Sequence, residues 1–136
     1  MRLVIDANIV IAGLMRDSTV RRLLLLGGHS LHAPAYLLDE VESHWEDLQR
    51  RSGLSSEAFR EVLGILRRHF HEHEHSEYEA WFEEARAMLA DDDPDDVPYF
   101  ALALALGADG VWSEDRGLST RAGVRVYRTA EILEGD

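Results

Sequence analysis

The sequence contains no cysteine and no lysine among its 136 residues. Without cysteine, a disulfide framework, a cysteine-ligated zinc site and a cysteine nucleophile are all excluded. Without lysine, a covalent lysine mechanism and a P-loop phosphate site are excluded as well. Apolar runs are short, since the leucines at 23–26 number four and a membrane span needs about 20 residues. We therefore expect a soluble, cytoplasmic protein.

Basic residues are scarce: 14 arginines face 26 acidic residues, which gives a formal net charge of −12 at pH 7. Because phosphate contacts need cations, this composition argues against a general nucleic-acid binder. Any nucleic-acid function would have to depend on local arginines or on a bound metal. The length and the 46% hydrophobic content predict a single domain over residues 1–136 with its own core.

Short apolar segments alternate with amphipathic ones along the chain. The apolar segments predict strands at 2–6, 29–33, 110–113 and 124–127. Helical periodicity and capping residues predict helices at 18–26, 35–51, 55–68, 78–89 and 98–106, and a last helix capped by Thr129. Strands that alternate with helices indicate an α/β fold, with a parallel sheet covered on both faces.

Acidic residues recur where the predicted strands end. Asp6 ends the first predicted strand, and Asp115 closely follows the predicted strand Gly110–Ser113. Glu40 lies in the first turn of the helix after the second strand, and Asp96 lies at the start of the helix that leads back into the sheet. We expect these acids to meet at the carboxyl edge of the sheet. Their mutual repulsion would raise their pKa values. A bound Mg²⁺ or Mn²⁺ would relieve that repulsion.

Two metal ions roughly 3.5–4 Å apart can activate water for in-line attack on a phosphodiester. Carboxylates at such a site serve mainly as metal ligands. Asp93 and Asp95 compete with Asp96 for its place in the set, while Asn8 and Ser113 have the right type and position to orient a ligand or a water.

The proposed ligands also have structural explanations. Asp6 could cap the segment that follows it, and Glu40 could interact with a helix dipole. Asp115 precedes Gly117 and could be a turn residue.

Four segments carry a resemblance to a known family: VIDAN at 4–8, PAYLLDEV at 34–41, DPDDVPYFALALAL at 93–106 and VWSED at 111–115. In this order they cover almost the whole chain, which resembles a PIN-domain ribonuclease. The resemblance implies a three-layer α/β/α sandwich around a mainly parallel, five-stranded sheet. It also implies Mg²⁺- or Mn²⁺-dependent cleavage of single-stranded or structured RNA.

The resemblance assigns functional positions residue by residue. It implies catalytic acids and two supporting residues at Asp6, Glu40, Asp96, Asp115, Asn8 and Ser113. Our hypothesis is that Asp6, Asp96 and Asp115 hold the metal and that Glu40 is a further ligand or a base. Many members of this size are VapC-type toxins, so the resemblance also implies a cognate antitoxin and a homodimer.

The arginines offer candidate contacts for substrate phosphates. Those near the expected site are Arg16, Arg21, Arg22 and Arg116. The alternative for each is a solvated helix face or an ion pair with a surplus acid. Four further arginines in the middle helices, at 50, 51, 67 and 68, could instead serve dimerisation or antitoxin docking.

Histidines alternate with other residues at 69, 71, 73 and 75. On a strand they would line one face and could bind zinc or nickel. The alternative is a solvent-facing edge strand or loop, and the resemblance offers no role for them.

Two other functions remain open on the residues alone. A haloacid-dehalogenase-like phosphatase needs a second acid two residues after its nucleophilic aspartate, where this chain has Asn8, and it needs a lysine. The non-enzymatic alternative is a binding module whose site has lost catalytic activity. It would bind a partner but cleave no RNA in the presence of manganese.

Overall fold

The computed structural model describes residues 1–89, 94–119 and 123–135, in which five parallel strands form one sheet. The strands are β1 (Arg2–Ile5), β2 (Ser30–Pro34), β3 (Phe70–His73), β4 (Gly110–Trp112) and β5 (Val126–Tyr127). Their order across the sheet is β3-β2-β1-β4-β5. The chain leaves β1 toward β2 and leaves β4 in the opposite direction toward β5. The topological switch point, where open parallel sheets place their sites, therefore lies between β1 and β4.

Helices cover both faces of this sheet. They are α1 (Ala7–Leu14), α2 (Thr19–Leu26), α3 (Ala35–Ser43), α4 (Trp45–Ser52), α5 (Ser56–His69), α6 (Phe82–Met88), α7 (Val97–Leu106) and α8 (Thr129–Gly135). Short 3₁₀ turns span His75–Glu77, Glu79–Trp81 and Pro94–Asp96. Helices α1, α2 and α5 pack on one another, while α6 packs on α7 and α7 lies against β1, β2 and β4. This three-layer α/β/α arrangement confirms the expected fold class.

The central strand β1 forms the middle of the core, because it is hydrogen-bonded on both sides. It pairs with β2 through Leu3 and Leu31 and with β4 through Ile5 and Trp112. Leu3, Val4, Ile5 and Trp112 have no exposed surface. Burial on both faces explains why these strands are continuous apolar runs rather than alternating ones. Within the described residues, no helix combines the length and the apolar composition that crossing a bilayer requires.

Helix α1 begins directly after β1, at a position where the sequence analysis predicted no element. Its β-branched residues Ile9, Val10 and Ile11 favour strands by local propensity. The helix forms because Ile9, Val10 and Leu14 are fully buried in the core, and because Asp6 caps its first turn. Tertiary packing here overrides the local preference.

The helix predicted over 35–51 is divided into α3 and α4 at His44, whose φ and ψ are −107° and 23°. The Ser43 hydroxyl donates to the Glu40 carbonyl at 2.8 Å, and the His44 amide donates to the same carbonyl at 3.2 Å. A serine that bonds back to its own helix in this way competes with the regular ladder and bends it.

Thr129 is the first residue of α8 rather than its cap. Its hydroxyl accepts a hydrogen bond of 3.0 Å from Trp112 Nε1. The Thr129 hydroxyl therefore provides a hydrogen-bond acceptor for the N–H of the fully buried Trp112 at the end of β4, and it does not cap the amides of α8.

The alternating histidines do not share one strand face. His69 ends α5, His71 and His73 lie on the edge strand β3, and His75 begins a 3₁₀ turn. His73 Nε2 and Nδ1 of His32, on the neighbouring strand β2, are 2.8 Å apart. Burial first, and then the charges of His71 and His73, lower the pKa of His32 to about 4. The four histidines therefore do not form one row. Part of the segment is an edge strand, which was the alternative interpretation, and His71 and His73 contact His32 across β2 and β3.

Candidate active site

A cleft of about 380 Å³ opens at the carboxyl edge of the sheet. It is lined by Asp6, Ala7, Asn8, Tyr36, Leu37, Glu40, Asp95, Asp96, Tyr99 and Asp115. The lining comes from the segments after β1, β2 and β4 and from the start of α7, so distant parts of the sequence meet here. The structure thus places four predicted acids and the predicted asparagine around one cleft.

Asp6 is the most buried acid of the cleft, with 4% of its surface exposed. Its Oδ1 accepts a hydrogen bond of 3.0 Å from the Ile9 amide and caps α1. Burial raises the pKa of Asp6, and the charge of Asp115 raises it further, against the lowering effect of hydrogen bonds from Ser113 and Ile9. The structural and functional explanations of Asp6 are compatible, because a carboxylate has two oxygens. Asp6 therefore carries a costly negative charge at the bottom of the cleft.

Ser113 connects the two acids that follow β1 and β4. This fully buried serine gives its hydroxyl hydrogen bond to Asp6 and accepts the Asp115 amide at 3.0 Å. Asp115 is held in a turn, because its Oδ1 accepts the Gly117 amide at 2.9 Å. Ser113 does not line the cleft itself. It supports Asp6 and Asp115 from behind.

Glu40 and Asp96 complete the set at the rim. Glu40 lies on α3 and is exposed; it is in the second turn of that helix rather than the first. Asp96 precedes α7 in the N-cap position, and its side chain does not cap the helix. Its rival Asp95 lines the cleft beside it, whereas Asp93 lies outside the described residues.

Two tyrosines of the cleft were missed by the sequence analysis. Tyr36 precedes Glu40 by four residues on α3, and Tyr99 follows Asp96 by three residues at the start of α7. Residues three or four apart share a helix face, so this spacing from the predicted acids was a usable signal. The two hydroxyls interact with each other, and this contact lowers the pKa of Tyr36 and raises that of Tyr99, while the Ala7 amide lowers the pKa of Tyr99.

The candidate phosphate-binding arginines lie outside this cleft. Arg16, Arg21 and Arg22 line a second, separate cleft around the start of α2. The Arg21 guanidinium donates to the carbonyls of Gly13, Met15 and Arg16, at 2.9–3.0 Å, and so holds the end of α1. Arg116 is exposed next to Asp115. Within the described part of the chain, the acidic cleft is lined by no basic residue.

The donor set of the cleft has the chemistry of a site for a hard cation. The side chains of the lining that carry charge at neutral pH are all carboxylates, the ligands that Mg²⁺ and Mn²⁺ prefer. Burial raises the pKa of Asp6 in spite of the hydrogen bonds that lower it, so a cation beside Asp6 would stabilise its charged form. Over residues 1–89, 94–119 and 123–135, however, no three histidine, aspartate or glutamate side chains are close enough together to hold a metal. A cation here would therefore be held by one or two of the carboxylates, with water completing its coordination, as is usual for Mg²⁺.

Comparisons with known proteins identify the family of this chain and a similar solved structure. The chain is similar in structure to VapBC2 from Rickettsia felis, which was crystallised bound to a DNA fragment from its promoter. The TM-score is 0.68 at 15% sequence identity, with 94% of this chain and 98% of that chain covered, and so the likeness concerns the fold. No curated protein matches the sequence significantly. The sequence profile of the PIN domain matches residues 4–134, a range that includes every acid of the cleft, and the chain therefore belongs to the PIN-domain family.

Proposed function

We propose that this protein is a metal-dependent endoribonuclease that hydrolyses phosphodiester bonds in RNA. The observation that carries the proposal is the convergence of Asp6, Glu40, Asp96 and Asp115 on one cleft at the switch point of the sheet. PIN domains are generally nucleases and generally depend on divalent metals, which supports this reading of the cleft. The acids would repel a phosphodiester unless a cation accompanied it.

In the proposed reaction, Asp6, Asp96 and Asp115 would hold Mg²⁺ or Mn²⁺, and Glu40 would be a further ligand or would accept a proton from the attacking water. When bound, the metal supplies a more acidic water and stabilisation of the charge that develops on the phosphate. Asn8 orients the water. The water oxygen bonds to phosphorus as the bond from phosphorus to O3′ breaks, which leaves a 5′-phosphate and a 3′-hydroxyl.

The substrate would approach an acidic molecule through its exposed arginines. Arg16 and Arg22 beside α2, and Arg116 beside Asp115, are the proposed contacts for phosphates outside the cleft. Arg21 is already bonded to three carbonyls, so its role in this proposal is to hold the end of α1 beneath them.

We further propose that the chain is the toxin of a toxin–antitoxin pair and acts on cytoplasmic RNA as a homodimer. The similar fold of VapBC2 and the PIN-domain match support this assignment. A cognate antitoxin would then cover the cleft or block access to it.

Cleavage of total RNA, with Mn²⁺ and Mg²⁺ titrated and the ends of the products mapped, tests the proposed reaction. We expect products with 5′-phosphates, no cleavage after chelation, and a loss of roughly 10²-fold or more in rate for Asp115→Asn, because a ligand to the charge-stabilising metal is removed. Glu83→Gln, an exposed acid on α6 away from the cleft, is the matched control and should keep full activity.

Equal cleavage by wild type and Asp115→Asn would contradict the proposal, as would cleavage that survives chelation. A protein that binds RNA or a partner but cleaves no RNA at any metal concentration would instead be the non-catalytic binding module. Release of phosphate from small phosphomonoesters, without cleavage of RNA, would indicate the phosphohydrolase.

A further inference from the structure

Tyr36 presents a large aromatic surface at the acidic cleft. It lies in the first turn of α3, one turn before Glu40, and 40% of its surface is exposed. Tyr36 also lines the cleft in which the proposed reaction takes place. The ring is therefore available to a ligand that enters the cleft.

Tyr99 holds this ring from inside the protein. Only 6% of Tyr99 is exposed, and its hydroxyl interacts with the Tyr36 hydroxyl and with the Ala7 amide. Ala7 directly follows Asp6, so the chain of hydrogen bonds links the exposed ring to the residue beside the buried acid. A ring fixed in this way loses little further conformational freedom when a ligand binds to it.

Both tyrosines add surface to the cleft without adding charge. Burial raises the pKa of Tyr99 well above its usual range, and burial together with the charge of Glu40 raises the pKa of Tyr36. The ionisable lining residues that carry charge at neutral pH are all acidic within the described part of the chain. Phosphate groups therefore find no cationic side chain in the cleft, and the surface that the lining itself offers to a nucleotide, besides a bound cation, is aromatic.

We propose that the Tyr36 ring is the platform on which one base of the RNA substrate stacks, and that Tyr99 is the positioning residue that holds the ring in place. The proposal rests on the ribonuclease function proposed above. Stacking on an aromatic side chain is tolerant of base identity, because every base has a π face. It requires an unstacked base, and so it makes the cleft selective for single-stranded RNA over duplex.

Steady-state cleavage of a short single-stranded RNA tests the stacking contact. Tyr36→Leu should raise KM roughly tenfold while kcat changes little, because the base contact is made equally in the bound and the reacting substrate. Tyr36→Phe keeps the ring but loses the hydroxyl that interacts with Tyr99. It should therefore raise KM by no more than Tyr99→Phe does, and by much less than Tyr36→Leu. Trp81→Leu, an equally exposed aromatic in the turn before α6, is the matched control and should leave KM unchanged.

Replacing single nucleotides around the scissile bond by abasic ones completes the test. At one position, the abasic substrate should raise the wild-type KM by the same factor as Tyr36→Leu and have no further effect in that variant. Tyr99→Phe should raise KM less than Tyr36→Leu does, and should have no effect when Tyr36 is already leucine. Thermal unfolding of each variant verifies that its fold is retained.

Three results would overturn the inference while the proposed function stands: an unchanged KM for Tyr36→Leu, an equal loss for Tyr36→Phe, or abasic effects that add to that of Tyr36→Leu. A duplex cleaved with the same KM as the single strand would also overturn it. If the wild type cleaves no RNA under any metal condition, the proposed function itself fails and the stacking inference fails with it.

Discussion

Asp6 combines a structural and a proposed catalytic role in one side chain. It caps α1 through the Ile9 amide and also lines the acidic cleft. Its pKa is raised by burial and by Asp115, which means that the folded protein binds a proton at this position more tightly than the unfolded chain does. The charge of Asp6 therefore opposes folding at neutral pH.

Asp6→Asn should stabilise the metal-free protein at neutral pH. The amide oxygen can still cap α1, but the buried charge is gone. Because the pKa of Asp6 is raised in the folded protein, the charged side chain destabilises the fold only above the ordinary pKa of aspartate. This destabilisation grows as the pH rises and reaches its full size above the pKa of Asp6 in the folded protein. We expect Tm in chelator to rise by on the order of a few degrees at pH 7.5, and this gain should shrink as the pH is lowered.

Glu40→Gln is the matched control for this prediction, since Glu40 lines the same cleft but is exposed. It should change Tm much less than Asp6→Asn. A lower Tm for Asp6→Asn, or a gain that does not depend on pH, would contradict the origin assigned to the effect.

At the scale of the elements, Arg67 connects three parts of the fold. From α5 it contacts Asp39 and Glu42 on α3 at 2.9 Å each, and Glu72 on β3 at 2.8 Å. The hydrogen bonds with these three carboxylates, that with Glu72 first, raise the pKa of Arg67 beyond its already high value. Arg67 was one of the arginines considered for partner docking, and its guanidinium serves here to join α3, α5 and β3.

Arg67→Met should destabilise the fold by about 1 kcal/mol, since the arginine neutralises three acids but the acids are substantially exposed. Urea unfolding measures the effect as a lower midpoint at an unchanged m value. Arg50→Met is the control, because Arg50 has 74% of its side chain exposed and pairs with Asp47 within one helix. Equal midpoints for the two variants would show that the Arg67 network contributes nothing.

The chain order of the elements was largely predictable, because strand and helix signals are local in sequence. The predicted strands at 2–6, 29–33 and 110–113 match β1, β2 and β4 to within a residue at most ends. Helix α1 was missed since its β-branched residues favour strands, and only burial in the core makes them helical. The break at His44 coincides with a hydrogen bond from the Ser43 hydroxyl to the Glu40 carbonyl, a contact that hydrophobic periodicity does not record.

At the scale of the whole molecule, the formal charge of −12 makes cations important. General screening by salt relieves repulsion between all the acids, whereas a bound divalent ion relieves it at the cleft alone. These two effects can be separated because stabilisation by a ligand of the folded state grows with the logarithm of its concentration relative to its Kd, and is lost when the site is removed.

At constant ionic strength, exchanging NaCl for MgCl₂ or MnCl₂ should raise Tm of the wild type. Stabilisation by a ligand at about 100 times its Kd is roughly 2.7 kcal/mol, and it is smaller at lower occupancy. Asp115→Asn should lose most of the gain and Glu83→Gln should keep it, which can be measured by differential scanning calorimetry without any assay of cleavage. The same gain in all three proteins would show that divalent ions act by screening and not at the cleft.

The sequence alone determined that the fold is a parallel α/β sandwich with acids following its strands, because strand patterns, helix caps and chain order are properties of neighbouring residues. Only the tertiary structure decided which side chains meet. It joined Tyr36 to Tyr99, added Asp95 to the cleft, and placed Arg16 and Arg22 at a separate cleft. The physical reason is that these encounters depend on how helices from distant segments pack on one sheet, and that packing is set by the burial of the whole core.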